Sequence, residues 1–221
     1  VSRRVGEGDA FVRSGSWGGW EPLQMLGASV SGGVLGLVGL GRIGRAVARR
    51  AQAFGMQVLY WNRTRLTPAE EAALSVTFAP LEELLARARF VSVHVASTPE
   101  TKHLIGAAAL DLIGPSGYLI NTARGNVVDE VALVTALQEG RIAGAGLDVF
   151  EHEPALAPGL AECTNAVLTP HLGSSTVETR AAMGNLAVDN LLAVLAGGAP
   201  LHAVNPEVGA GSPGGRGRAG A

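Results

Sequence analysis

Val34-Leu35-Gly36-Leu37-Val38-Gly39-Leu40-Gly41-Arg42-Ile43-Gly44 joins an apolar run to a cluster of glycines, and helical spacing follows over Ile43–Phe54. The run reads as a buried strand, and Gly39–Gly44 has the spacing G-x-G-x-x-G at the turn from strand to helix. Each glycine has its own task there. The first permits the tight turn, the second lets backbone approach a pyrophosphate, and the third allows helix and strand to pack closely. Amides at the start of the helix then face the phosphates. In a chain with 31 glycines the hexapeptide alone means little, but its place between a strand and a helix favours a dinucleotide site over a merely structural turn.

Outward from this turn, Gln57–Trp61 reads as a second strand, Phe90–Val95 as a third, Gly117–Asn121 as a fourth, Ala143–Leu147 as a fifth and Ala166–Leu168 as a short sixth. Helical patterns occupy Leu81–Ala88, Ala107–Leu112 and Glu130–Glu139. Strands that are continuously apolar are buried on both faces, and helical crossovers between them make the sheet parallel. The expected fold is a doubly wound, Rossmann-like α/β domain over 31–175, flanked by segments of an incomplete second domain. Residues 1–30 contain a helix and Trp17-Gly18-Gly19-Trp20, and 176–208 are led by a long amphipathic helix closed by Gly197-Gly198. The glycine-rich tail 209–221 has no large apolar residue and is expected to be disordered.

Composition narrows the function classes. The 221 residues are 47% hydrophobic and 16% charged, with a formal net charge of −2, which suits a soluble globular protein and argues against nucleic acid or an anionic membrane as partner. No uninterrupted apolar run reaches about 18 residues, so no membrane-spanning helix is expected. Cys163 is the sole cysteine and excludes an internal disulfide, and Val1–Asp9 lacks the apolar core of a signal peptide, so a reducing, cytoplasmic setting is expected. Neither a metal-ligand cluster nor a G-x-S-x-G elbow is present.

The end of the second strand speaks to the cofactor. An enzyme that prefers NAD offers Asp or Glu there, about 20 residues on, to the ribose 2′-hydroxyl. Here Trp61 is followed by Asn62-Arg63-Thr64-Arg65, without a carboxylate. Guanidinium forks suit a 2′-phosphate, which a carboxylate would repel. NADP is the expected cofactor and NAD the alternative; a solvated basic loop is the reading without a ligand.

Three polar segments follow strand ends, where open α/β sheets place ligands. In Asn121-Thr122-Ala123-Arg124-Gly125, Arg124 can give a carboxylate two parallel hydrogen bonds, or pair with a surface acid. The others are Gly146-Leu147-Asp148-Val149-Phe150-Glu151-His152-Glu153-Pro154 and Thr169-Pro170-His171-Leu172-Gly173-Ser174-Ser175. Hydride addition to a carbonyl carbon requires a proton for the oxygen, and histidine, with an ordinary pKa of about 6.5, serves near neutral pH. A carboxylate beside it orients the ring and favours its protonated form, and Glu153 with His171 is the expected pair. His94, His103, His152 and His202 are assigned ordinary polar or core roles. Asp148 is a candidate for the nicotinamide amide.

Taken in order, Gly39–Gly44, Asn121–Gly125, Gly146–Pro154 and Pro170–Ser174 resemble the D-isomer-specific 2-hydroxyacid dehydrogenases, over a span from about Gly6 to Glu207. The resemblance implies that Arg124 holds a 2-oxo acid, that His171 donates the proton, that Glu153 supports it and that Ser174 lies in the substrate site. It places cofactor contacts at Gly41, Arg42, Ile43, Asn62, Arg63, Thr64, Arg65, Ala96, Thr122, Asp148 and Gly173. Trp17–Trp20 and Asn62–Arg65 look most like the glyoxylate/hydroxypyruvate reductases. That likeness implies a homodimer acting on a small 2-oxo acid, with Trp20 either reaching the partner's pocket or serving only as a dimer-contact aromatic. Family members begin with a lobe that closes over the site, and most of it is expected to be absent, because the chain starts near the connecting helix. The alternative to an enzyme is therefore a catalytically incomplete dinucleotide-binding module, similar to C-terminal-binding corepressors.

Overall fold

A computed structural model describes residues 1–205, and the chain divides into two compact units, Val1–Gly173 and a second that begins at Ser174. The expected disordered tail, 209–221, and residues 206–208 of the C-terminal segment lie outside the described residues. In the first unit, α1 (Val5–Arg13) is followed by residues 14–33 without helix or strand. The run that ends in glycines forms β1 (Val34–Val38), and α2 (Arg42–Ala53) starts directly behind its turn. Then come β2 (Gln57–Trp61), α3 (Pro68–Leu74), β3 (Thr77–Phe78), α4 (Leu81–Arg87), β4 (Phe90–Val93), α5 (Ala107–Ile113), β5 (Tyr118–Asn121), α6 (Glu130–Gln138), β6 (Gly144–Leu147) and β7 (Ala166–Leu168).

The strands form one parallel sheet in the order β3-β2-β1-β4-β5-β6-β7. The chain runs outward from β1 to β3, returns to place β4 against the other side of β1, and then runs outward again. That reversal is the switch point of a doubly wound sheet, and it opens a crevice beyond the carboxyl ends of β1 and β4.

Alternation along each strand sorts side chains onto two cores. Leu35 and Leu37 of β1 join Val58, Tyr60 and Phe90 under α2, which contributes Ala48 and Ala51. Val38, Leu59, Val91, Val93 and Leu119 point the other way, onto Leu84 and Leu85 of α4, Leu110 of α5 and Leu133 of α6. Most strand positions are therefore apolar whichever way they face, Ser92 and Asn121 being buried exceptions, and burying each such leucine contributes about 2 kcal/mol. Helices on both faces are the physical reason that the runs read as unbroken in the sequence.

The structure adds α3 and β3, making seven strands where six were expected. β3 is two residues long, too short to show alternation. α3 buries none of its seven residues, so it lacks an apolar stripe; it is set instead by a capping box, Thr67 with Glu70, and by Pro68 in its first turn.

The second unit, taken by itself, is led by α7 (Val177–Leu195), whose first turn is capped by the Thr176 hydroxyl accepting from the Thr179 amide at 3.1 Å. Gly197, at φ 81°, follows its end. Met183, Leu186, Leu191, Leu192 and Leu195 of α7 are exposed. Among the described residues no helix is long and apolar enough to cross a membrane.

Candidate active site

Sheet register lines up the site. Trp61, Val38, Val93, Asn121, Leu147 and Leu168 are successive Cα partners across β2, β1, β4, β5, β6 and β7. The residues that follow them (Asn62, Gly39, His94, Thr122, Asp148 and Thr169) therefore stand along one edge. At about 4.8 Å per strand this row is about 24 Å long.

At the switch point, Gly39 has φ 104°, and a β-carbon there would stand 2.8 Å from the His94 carbonyl carbon. A β-carbon on Gly44 would overlap the Gly39 carbonyl oxygen. Any side chain at these two positions would separate β1 from β4 or α2 from its turn. Gly41, by contrast, has open space where its β-carbon would be, and no side chain caps α2 behind it. This free cradle at a helix N-terminus suits a pyrophosphate. Asn62 crosses to the turn, its Oδ1 accepting from the Leu40 amide at 2.7 Å. An open cleft of about 630 Å³ is lined by Gly41, Arg42, Ile43, Ala46, Val47, Arg50 and His94. The His94 ring is 2.9 Å from the Ser92 hydroxyl, and burial pushes its pKa down to about 4, so it is neutral near pH 7.

Beyond β2, the two arginines differ. Arg65 is bound to Glu71 of α3 through two hydrogen bonds, 2.7 and 2.9 Å, and lies over the Phe78 ring. Glu71 also accepts from the Tyr60 hydroxyl at 2.7 Å, and these bonds, that from Arg65 foremost, lower its pKa to about 2. Arg63 and Thr64 are exposed and make no hydrogen bond or ion pair among the described residues. The charge of Arg63 reaches Glu100, in the 3-10 turn Pro99–Thr101. Ala96 lies just before that turn, its carbonyl accepting from the Thr101 hydroxyl at 2.7 Å.

After β5, buried Asn121 folds the next turn: its Nδ2 donates to the Arg124 carbonyl at 2.9 Å and its Oδ1 accepts from the Ala123 amide at 3.0 Å. Thr122 and Arg124 are thereby left exposed, and Gly125 packs directly on the backbone of Phe150. After β6, Asp148 gathers the segment that follows β7. Its Oδ1 accepts from the Thr169 hydroxyl at 2.6 Å and the Leu172 amide at 2.7 Å, and its Oδ2 from the Gly173 amide at 2.8 Å. Burial works to raise the Asp148 carboxyl, but these bonds outweigh it and the net shift is downward.

Within that segment His171 takes φ 55°, a left-handed conformation costing about 1 kcal/mol, and the bonds on either side of it hold it there. Its Nδ1 is 3.0 Å from Glu153 Oε2, and Glu153 Oε1 accepts from the Phe150 amide at 3.0 Å. The His171 bond first, then the Phe150 amide, outweigh burial and hold the Glu153 carboxyl below its ordinary range, and the charge of Arg124 acts in the same direction. Arg124, Glu153 and His171 thus share one neighbourhood. His152, adjacent to Glu153 in sequence, is not its partner. Ser174 opens the second unit and is described only with it.

Residues 1–173 match the family model of the D-isomer specific 2-hydroxyacid dehydrogenase, NAD binding domain. The chain belongs to this family. Among curated relatives, the glyoxylate reductase of Thermococcus litoralis is 49% identical over 217 residues, covering 96% of this chain and 65% of that protein. The glyoxylate reductase of Thermococcus gammatolerans is 50% identical over 212 residues, covering 94% and 63%. Among solved structures, the NADPH-dependent glyoxylate/hydroxypyruvate reductase of Sinorhizobium meliloti, in complex with NADP and malonate, superposes with a TM-score of 0.82 at 44% identity, covering 90% of this chain and 62% of that one. A glyoxylate reductase from Paecilomyes thermophila gives a TM-score of 0.82 at 39% identity, covering 93% and 61%. The chain spans 63 to 65% of the length of these two curated relatives.

Sequence reasoning about this 2-hydroxyacid dehydrogenase domain missed three supporting groups. Glu71 sits on the unread helix α3. Asn121 opens a motif in the sequence, but nothing there marks it as the residue that folds the turn. His103 has no partner that the sequence marks, yet its Nε2 lies 2.7 Å from Glu151 Oε1. Only the capping signature Thr67-Pro68-Ala69-Glu70 was there to be read for the first. Contacts across 48 residues, such as His103 with Glu151, leave no local pattern. Among the described residues no group of three or more His, Cys, Asp or Glu is placed to hold a metal.

Proposed function

We propose that this chain carries the cofactor-binding and catalytic half of a reductase that converts glyoxylate or hydroxypyruvate to the hydroxy acid, with NADPH preferred and NADH accepted. The observation that carries this reading is the His171–Glu153 pair at 3.0 Å, set on the same sheet edge as the glycine turn. Gly39–Gly44 would hold the pyrophosphate of a nicotinamide dinucleotide, which when bound would supply hydride chemistry. Arg124 holds the substrate carboxylate through its guanidinium. Glu153 takes Nδ1 of His171, which leaves Nε2 to carry the proton delivered to the carbonyl oxygen. Arg63, exposed and without a carboxylate partner among the described residues, supports the 2′-phosphate reading, while Asp148, Thr122, Ala96 and Gly173 border the nicotinamide end of the row. An assembly of two copies fits the exposed Trp20, at 81%, as a residue for the partner's pocket. A cytoplasmic setting fits the lone, buried Cys163.

The test is steady-state reduction of glyoxylate and hydroxypyruvate by the full-length protein that carries this chain. His171→Ala is expected to lower kcat by about a thousandfold. Turnover unchanged by that substitution removes the assignment. Cofactor binding without turnover of any 2-oxo acid selects the module reading instead.

A further inference from the structure

The loop that carries Glu153 has its own supports. Glu130, in the first turn of α6, is only 3% exposed. Its Oε1 accepts from the Glu151 amide at 2.7 Å, and the Ala157 amide also bears on its carboxylate. One buried acid therefore holds, by the Glu151 amide, the start of the loop that contains Glu153. From the other side, His103 Nε2 grips the Glu151 side chain at 2.7 Å. His103 is itself fixed, because its amide donates to the Asn126 carbonyl at 2.9 Å, within the 3-10 turn Gly125–Val127 that follows Arg124. The same anchors thus reach the turn with Arg124 and the loop with Glu153.

Resting on the reading of His171 as proton donor, we infer that Glu130 and the His103–Glu151 pair are positioning residues, holding the loop so that Glu153 stays on Nδ1 of His171. The need is geometric. Glu153 is tied to its loop by the Phe150 amide, one residue before the amide that Glu130 holds. A shift of about 0.5 Å at Glu153 takes a 3.0 Å bond to the limit of hydrogen bonding and frees the ring to change tautomer. Burial raises the Glu130 carboxyl, although the Glu151 amide opposes it, so this acid is held at some cost and has a defined geometry to show for it.

The test reads the tautomer of His171 by nitrogen NMR of this chain, at a pH high enough that the ring's own nitrogen shifts show it to be neutral. The wild-type ring is expected to carry its proton on Nδ1. Glu130→Ala and Glu151→Ala are each expected to shift the ratio toward the Nε2–H form by about tenfold, the worth of one charge-assisted hydrogen bond. Glu130→Gln, which keeps an acceptor for the Glu151 amide, is expected to retain most of the native ratio. Melting temperature is followed on the same samples. A Glu130→Ala protein that melts earlier but keeps the native tautomer overturns the inference, since Glu130 is then structural only. Where Glu130→Ala does not fold, Glu151→Ala decides by the same criterion, because it removes the His103 pair and leaves the backbone bond to Glu130. A wild-type ring without the Nδ1–H form refutes the Glu153–His171 pair itself, and this inference with it, before any variant is read.

Discussion

Gly125 and Phe150 meet backbone to backbone, so that a β-carbon on Gly125 would overlap the Phe150 carbonyl group. The contact seats the turn of Arg124 against the loop that leads to Glu153, and it explains why glycine follows the arginine. Backbone cannot yield as a flexible side chain does. Gly125→Ala is expected to cost about 1–3 kcal/mol, read as a lowered urea midpoint. Gly146 offers the control, for nothing lies within 4 Å of its would-be β-carbon. Gly146→Ala is expected to stay within about 0.5 kcal/mol of wild type. Equal midpoints for the two variants contradict the packing described.

Asp148 binds three donors with two oxygens: the Thr169 hydroxyl and the Leu172 amide on one, the Gly173 amide on the other. Asparagine has the same shape but only one acceptor oxygen, so one end must set an NH₂ group against an N–H. Asp148→Asn is therefore expected to lose about 1–3 kcal/mol of stability. It should also speed hydrogen exchange at Leu172 and Gly173, the residues that fix the backbone of His171. Unchanged protection at those two amides removes Asp148 as the clamp of that segment.

The sheet was legible because both of its faces are buried. Leu35 and Leu37 face one core and Val38 the other, yet all three read as one apolar run, and β2 and β7 have the bounds that the sequence predicts. The candidate site was easiest to read where polar or glycine-rich segments follow a strand end at once, as at Gly39–Gly44 and Asn121–Gly125. Glu153 with His171, 18 residues apart, was legible from the motifs that carry them, but supporting contacts across longer separations were not. Asp148 with Gly173 and His103 with Glu151 are 25 and 48 residues apart, and no local periodicity records them. Arg65 shows a further limit: a guanidinium reads the same in sequence whether it faces a ligand or, as here, a carboxylate on a helix that buries nothing.

That difference between the arginines separates two expectations for cofactor binding. Arg63→Ala is expected to weaken NADPH binding by about tenfold or more while leaving NADH nearly unchanged, as loss of one charge-assisted contact to a phosphate requires. Arg65→Ala instead strips Glu71 of its bidentate partner beside Tyr60 and Phe78. It is expected to lower the melting temperature and to affect both cofactors alike. Calorimetric titration of both variants with both cofactors checks the division; selective loss of NADPH by Arg65→Ala alone reverses the roles.

Acid stability should fall in two separable stages. His94 titrates at about 4 in the fold against 6.5 ordinarily, so between those values the unfolded chain binds a proton that the folded chain refuses. The contribution of His94 is therefore complete above pH 6.5 and is lost as pH falls toward 4. Glu71 is depressed from 4.5 to about 2 by Arg65 and Tyr60, so its contribution is complete above 4.5 and is lost as pH falls toward 2. Urea midpoints measured at intervals from about pH 7.5 down to about pH 3 test both signs. His94→Gln is expected to flatten only the upper stage and Glu71→Gln only the lower. A His94→Gln profile that still falls as steeply as wild type through the upper stage shows that another group carries that proton.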